Sequence, residues 1–116
     1  MNAHQALASA GIPTYAGTWK ETKEHPKPPE AYIVHTQMRT EDFHDDDLLQ
    51  DYRLFVYANL WSLSDPTALA ARVRRVMHAD GWAMEEETVD YNEDAKRFHV
   101  AWTWVKLEDA SNADGN

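Results

Sequence analysis

The sequence predicts an α+β domain: an antiparallel sheet with helices packed on one face. Three stretches carry that reading. Tyr52 to Leu63 is a long apolar run with strand composition, and Arg97 to Leu107 alternates with period two. Between them lies a segment with helix start and stop signals and one apolar stripe.

The elements follow in chain order. Asn2 to Ala10 reads as a short helix ended by Gly11 and Pro13. Tyr15 to Trp19 reads as a short strand. Lys20 to Pro29 is charged and carries Pro26, Pro28 and Pro29, so it is expected to be an exposed, partly extended loop. Ala31 to Met38 opens a strand, and the acidic run Glu41 to Asp51 is expected to be a loop. In the next strand Leu54, Val56, Ala58 and Leu60 lie on one face, with Phe55, Tyr57 and Trp61 on the other. Both faces are apolar, so cover is expected on both: the following helix on one, and either the same chain or a second subunit on the other.

That helix is bounded by Asp65 as N-cap, Pro66 at the first helical position and Gly81 at the end. Leu69, Val73, Val76 and Met77 form its apolar stripe, and Arg72, Arg74 and Arg75 fall mostly off it, toward solvent. Trp82 to Tyr91 and Arg97 to Leu107 form a hairpin around the turn at residues 93–96. In its second strand Phe98, Val100, Trp102 and Trp104 alternate with His99, Ala101, Thr103 and Val105.

Composition narrows the function. The 116 residues suit one domain over residues 1–108, with a frayed tail over 109–116. A compact chain of this size has a radius of gyration of about 13 Å. Hydrophobic residues at 43% and charged residues at 27% are globular values. The absence of cysteine excludes a disulfide scaffold, a thiolate metal site and a Cys nucleophile. No apolar run approaches the roughly 18 residues that a membrane span needs. The chain reads as soluble and cytoplasmic.

The net charge of −9 is concentrated in two runs, Glu41 to Asp51 and Glu85 to Asp94, each with six acids and no Lys or Arg. The rest of the chain is net positive by three. Such a surface disfavours sequence-reading nucleic-acid binding, which sets cations against phosphate.

Candidate sites are few. Asp45, Asp46 and Asp47 repel one another and could be relieved by Mg²⁺ or Ca²⁺, but the spacing is not an EF-hand loop and a solvated acidic loop is the simpler reading. His35 and His99 lie in strands, where they could face each other, and read as structural. No nucleophile elbow, phosphate loop or dinucleotide fingerprint occurs, so catalysis has no positive support and no cofactor or metal is expected. Arg72, Arg74 and Arg75 are the one basic cluster. They read as a solvated helix face or as a mate for an acidic patch on another copy. Phe55, Tyr57, Trp61, Trp102 and Trp104 read as core, interface or pocket.

Taken in order, five features resemble the tail-terminator, or tail-completion, proteins of long-tailed bacteriophages and prophages. They are the helix broken at Gly11-Ile12-Pro13-Thr14-Tyr15, the Pro-rich approach Pro28-Pro29-Glu30-Ala31-Tyr32-Ile33-Val34, and the acidic loop Asp45-Asp46-Asp47 leading into Tyr52 to Trp61. A helix ending before Gly81-Trp82 and a last hairpin through Asp90-Tyr91 and Phe98-His99-Val100 complete them. The sequence departs from the family's pattern in its Trp-rich final strand and in Glu85-Glu86-Glu87.

The resemblance implies a structural, non-enzymatic subunit of the virion tail, assembled in the host cytoplasm. As a six-fold ring it would cap the tail tube, stop its polymerisation and meet the head–tail connector protein. Its implied partners are itself, the tail tube protein and the connector. DNA would pass without specific binding, with no membrane involved. A negative lining would ease that passage, and Asp45, Asp46, Asp47, Phe55, Tyr57, Trp61, Arg72 and Arg75 are the candidate lumen or interface residues. Two other readings stand beside it: a small ligand-binding or pocket-enzyme domain, and an acidic DNA mimic that occupies a basic partner.

Overall fold

The computed structural model describes residues 2–19, 27–43 and 50–109. The order of elements is α1 (Ala3–Ala8), β1 (Thr14–Ala16), β2 (Ala31–Phe43), β3 (Gln50–Ser62), α2 (Thr67–Ala79), β4 (Ala83–Asn92) and β5 (Arg97–Asp109). The strands form one sheet in the order β1-β2-β3-β5-β4. This is the expected α+β class, with helices packed on one face. One pair departs from antiparallel: β1 runs parallel to β2, from Thr14 opposite Ile33 to Ala16 opposite His35.

Local chemistry sets the helix ends. Asn2 caps α1 through a capping box, its side chain accepting the Gln5 amide while the Gln5 side chain accepts the Asn2 amide. At α2 the cap position falls on Pro66 rather than Asp65. Asp65 still serves the helix start, since its carboxylate accepts both the Thr67 amide at 2.9 Å and the Thr67 hydroxyl at 2.6 Å. Gly81 leaves α2 at φ +93°, the left-handed position that favours glycine. The buried line of α2 is Ala70, Val73 and Met77, with Leu69 and Val76 at its flanks.

The sheet is longer than the sequence predicts. Strands β2 and β3 run on into the segment expected as an acidic loop, through Phe43 and from Gln50, with unbroken pairing from Ala31 opposite Ser62 to Phe43 opposite Gln50. Strand β5 extends to Asp109, past the expected end of the fold. Acidic side chains have low strand propensity, but pairing on a neighbouring strand overrides it. Each of these three strands has 13 residues, which at about 3.3 Å per residue gives roughly 43 Å. Helix α2, also 13 residues, reaches only about 20 Å. The molecule therefore measures 52 × 30 × 24 Å with a radius of gyration of 16.2 Å, above the compact expectation.

The core lies where helices and sheet overlap. Leu7 and Ala6 of α1 and Val73 and Met77 of α2 press on Ile33, Val56, Ala58, Leu60, Val100, Trp102 and Trp104. The strand residues in that set share one parity in each strand, as a one-sided core requires. A clasp joins the two helices. Arg72 donates through Nε, at 2.9 Å, and through Nη2 to the Ala10 carbonyl. Gly11 makes room for it, since a Cβ there would come within 2.8 Å of Arg72 Nη2, and its φ of +81° also favours glycine.

Candidate interaction face

The sheet's second face is lined in ordered rows. Register places Tyr32, Trp61, His99 and Asp90 side by side across four strands. The next row is Val34, Asn59, Ala101 and Thr88, followed by Thr36, Tyr57, Thr103 and Glu86, and then Met38, Phe55, Val105 and Ala83. No helix among the described residues lies on this face. Tyr57 is 37% and Met38 47% exposed, while Trp104 on the opposite face is fully buried.

The rows differ in size, and this shapes the surface. The row through Val34 and Asn59 is small, so it forms a trough between aromatic walls. Two hollows open along it. One of about 550 Å³ is bounded by Thr18, Trp19, Tyr32 and Trp61, and one of about 170 Å³ by Tyr57, Glu86, Thr88 and Thr103. Asn59 belongs to both.

Polar groups brace the aromatic row. His99 shares a 2.8 Å hydrogen bond between Nε2 and Asn59 Oδ1, and its ring stacks on Trp61 with centroids 4.1 Å apart and planes 8° from parallel. With Nε2–H donating to Asn59, Nδ1 is left facing Asp90 at 3.6 Å. Arg97 is buried over Tyr32 and donates to the Pro29 and Glu30 carbonyls at 2.9 Å each, tying the Pro-rich approach to the sheet. Tyr15 meets Tyr32 edge-on.

The aromatic set of the sequence reading is thus divided. Trp102 and Trp104 are core, whereas Phe55, Tyr57 and Trp61 line the open face. His35 and His99 do not face each other, because their parities put them on opposite sides of the sheet. His35 pairs with Ala58 on the helix side and His99 with Trp61 on the open side. The neighbours hold the clue: His99 alternates with residues less apolar than Phe98, Val100 and Trp102. His35 instead meets His4, with Nε2 2.9 Å from His4 Nδ1. Burial, and the nearby His4, hold its pKa below the ordinary value.

The basic cluster does not act as one patch. Arg72 serves the helix clasp, and Arg74 pairs with Glu87 at 2.9 Å. Only Arg75 is exposed without a partner among the described residues. The second acidic run is split likewise. Glu87 turns toward the helices, where it also accepts Trp102 Nε1 at 2.5 Å, while Glu85, Glu86 and Asp90 stay exposed. Sequence reasoning missed this Arg74–Glu87–Trp102 network because its three members come from three elements. Asp45, Asp46 and Asp47 lie outside the described residues. Among the described residues no group of three His, Asp or Glu side chains gathers to hold a metal, and no helix is long and apolar enough to cross a membrane.

No protein-family model matches the chain, and no curated protein matches it.

Proposed function

We propose that this protein is a structural ring subunit of a phage or prophage tail, a tail terminator that ends tube growth and offers the surface for head–tail joining. The observation that supports this reading is the pair of unlike sheet faces: one closed by the helices, the other an open field of Phe55, Tyr57, Trp61, Tyr32 and Met38. An aromatic field of this extent fits a protein interface better than bare solvent, since aromatics are enriched in interface cores. Contact through two different patches of each subunit generates a closed ring when the rotation closes. The sequence order of elements adds the terminator resemblance. DNA would then pass a lumen that repels phosphate, with Asp45, Asp46 and Asp47 as the candidate lining.

Two measurements test the proposal. Electron microscopy of the concentrated protein should show rings of about six copies, and a gel shift with double-stranded DNA should show no retention. Changing Asp45, Asp46 and Asp47 together to Lys should leave the fold intact and make the protein retain DNA at low salt. Particles without rotational symmetry, or a triple variant indistinguishable from wild type, would overturn the ring or the lumen assignment respectively.

A further inference from the structure

The sheet has two edges of opposite character. Strand β4 forms one, with Glu85, Glu86 and Asp90 exposed along it and a register break between Met84 and Glu86. Charges and a bulge are the devices by which edge strands refuse a further strand. Strand β2 forms the other edge beyond the short β1, which covers it only opposite residues 33–35. From Thr36 to Thr40 this edge carries no acid, no proline and no break in its pairing with β3.

The backbone of that edge is oriented for pairing. Ile33 N–H donates outward to the Pro13 carbonyl at 2.8 Å, and the His35 carbonyl accepts from Gly17 N–H at 2.7 Å. Outward and inward groups alternate along an antiparallel strand. Gln37 and Arg39 therefore point their N–H and C=O groups away from β3, with no partner strand among the described residues. Their side chains lie on the helix face, beside a hollow of about 500 Å³ lined by Asn2, Ala3, Leu54 and Trp82. Lys106, also in this hollow, is held by the Asp80 carbonyl at 2.8 Å, with the Asp80 carboxylate at 3.8 Å. Arg39 is exposed, stacked 4.1 Å from the Tyr52 ring centroid, and has no carboxylate partner among the described residues.

We propose that the β2 edge at Gln37–Arg39 accepts an extended segment of a partner protein as an added strand, with an acidic side chain of that segment seated against Arg39. Backbone hydrogen bonds supply affinity in this mode, and pockets for alternate side chains supply specificity. The hollow receives the side chains on the helix side, and the Arg39 guanidinium selects a carboxylate among them. Because β4 is guarded, copies of the chain do not propagate through both edges, and a β2–β2 pairing of two copies over Thr36–Thr40 would bring two Arg39 side chains together with no acid between them, so the occupant is a different protein. The inference is independent of ring assembly.

The test is a selection from a random library of peptides of about nine residues, followed by anisotropy titration of the selected peptide and amide exchange of the complex. Selected peptides should carry Asp or Glu and should protect the Gln37 and Arg39 amides, whose exchange is otherwise fast. Gln37→Pro removes one outward N–H without touching the β3 ladder and should weaken binding roughly tenfold or more. Arg39→Glu retains the edge and should shift preference to the same peptide with Lys in place of its acid. It also keeps the proposal testable if the proline variant fails to fold. No peptide binding below about 1 mM, binding indifferent to both variants, or protection confined to other amides would overturn the proposal.

Discussion

The two faces of this sheet are made of similar side chains and do different work. On the helix face Trp102 and Trp104 are buried, and with Leu60 and Val56 they form the interior of the domain. On the other face Trp61, Tyr57 and Phe55 stand in comparable density with no helix above them among the described residues. The difference shows that apolar content in a strand reports the need for cover without saying where the cover comes from. Burial is concentrated on one face, and the other is the face that the proposed function assigns to recognition.

The sharpest way to break this contrast is to truncate one residue on each face. Trp104→Ala empties a fully buried site and should cost about 3–5 kcal/mol in urea unfolding. If it cost no more than a surface change, the helix face would not be the core. The helix clasp ranks next. Arg72→Ala leaves the Ala10 carbonyl without its charged donor and should cost about 1–3 kcal/mol, with Gly11→Ala costing about 1 kcal/mol because its φ of +81° strains any residue that carries a Cβ. A thermal melt unchanged by Arg72→Ala would contradict the clasp.

A pH titration sharpens the same contrast. Burial, and then His4, hold the His35 pKa in the folded chain below the ordinary histidine value of 6.5, so near and below that pH the unfolded chain binds more protons. The stabilisation is complete above about pH 6.5 and is lost as pH falls toward the lowered folded value. Urea midpoints measured at pH 7.5 and 5.5 should therefore drop in wild type and drop less in His35→Gln. Equal drops would remove His35 from the account. The smallest stability effect belongs to the open face, where Tyr57→Ala should change unfolding by no more than about 1 kcal/mol when both chains are dilute enough to be monomeric.

Much of the fold was legible in the sequence because period and punctuation were strong. The alternation from Phe98 to Val105 gave β5 its faces, and Gly81 gave α2 its end. The extension of β2 and β3 past Met38 was hidden, because Glu41, Asp42 and Asp51 look like loop residues until a neighbouring strand pairs them. Strand β1 has three residues, too few to announce a parallel partner. The roles of Arg72 and Arg74 were hidden for another reason. The acceptor of Arg72 is a backbone carbonyl 62 positions away, which leaves no trace in side-chain pattern. For the candidate face, Phe55, Tyr57 and Trp61 were legible as a set, but the sequence could not separate them from Trp102 and Trp104 without the register.

The most direct test of the open face as an interface is the mass of the protein by light scattering over a wide concentration range, for wild type and Tyr57→Glu. The account predicts a discrete, closed oligomer for wild type and a folded monomer for the variant. A wild-type chain that stays monomeric at every concentration, or a variant that assembles as well as wild type, would contradict it.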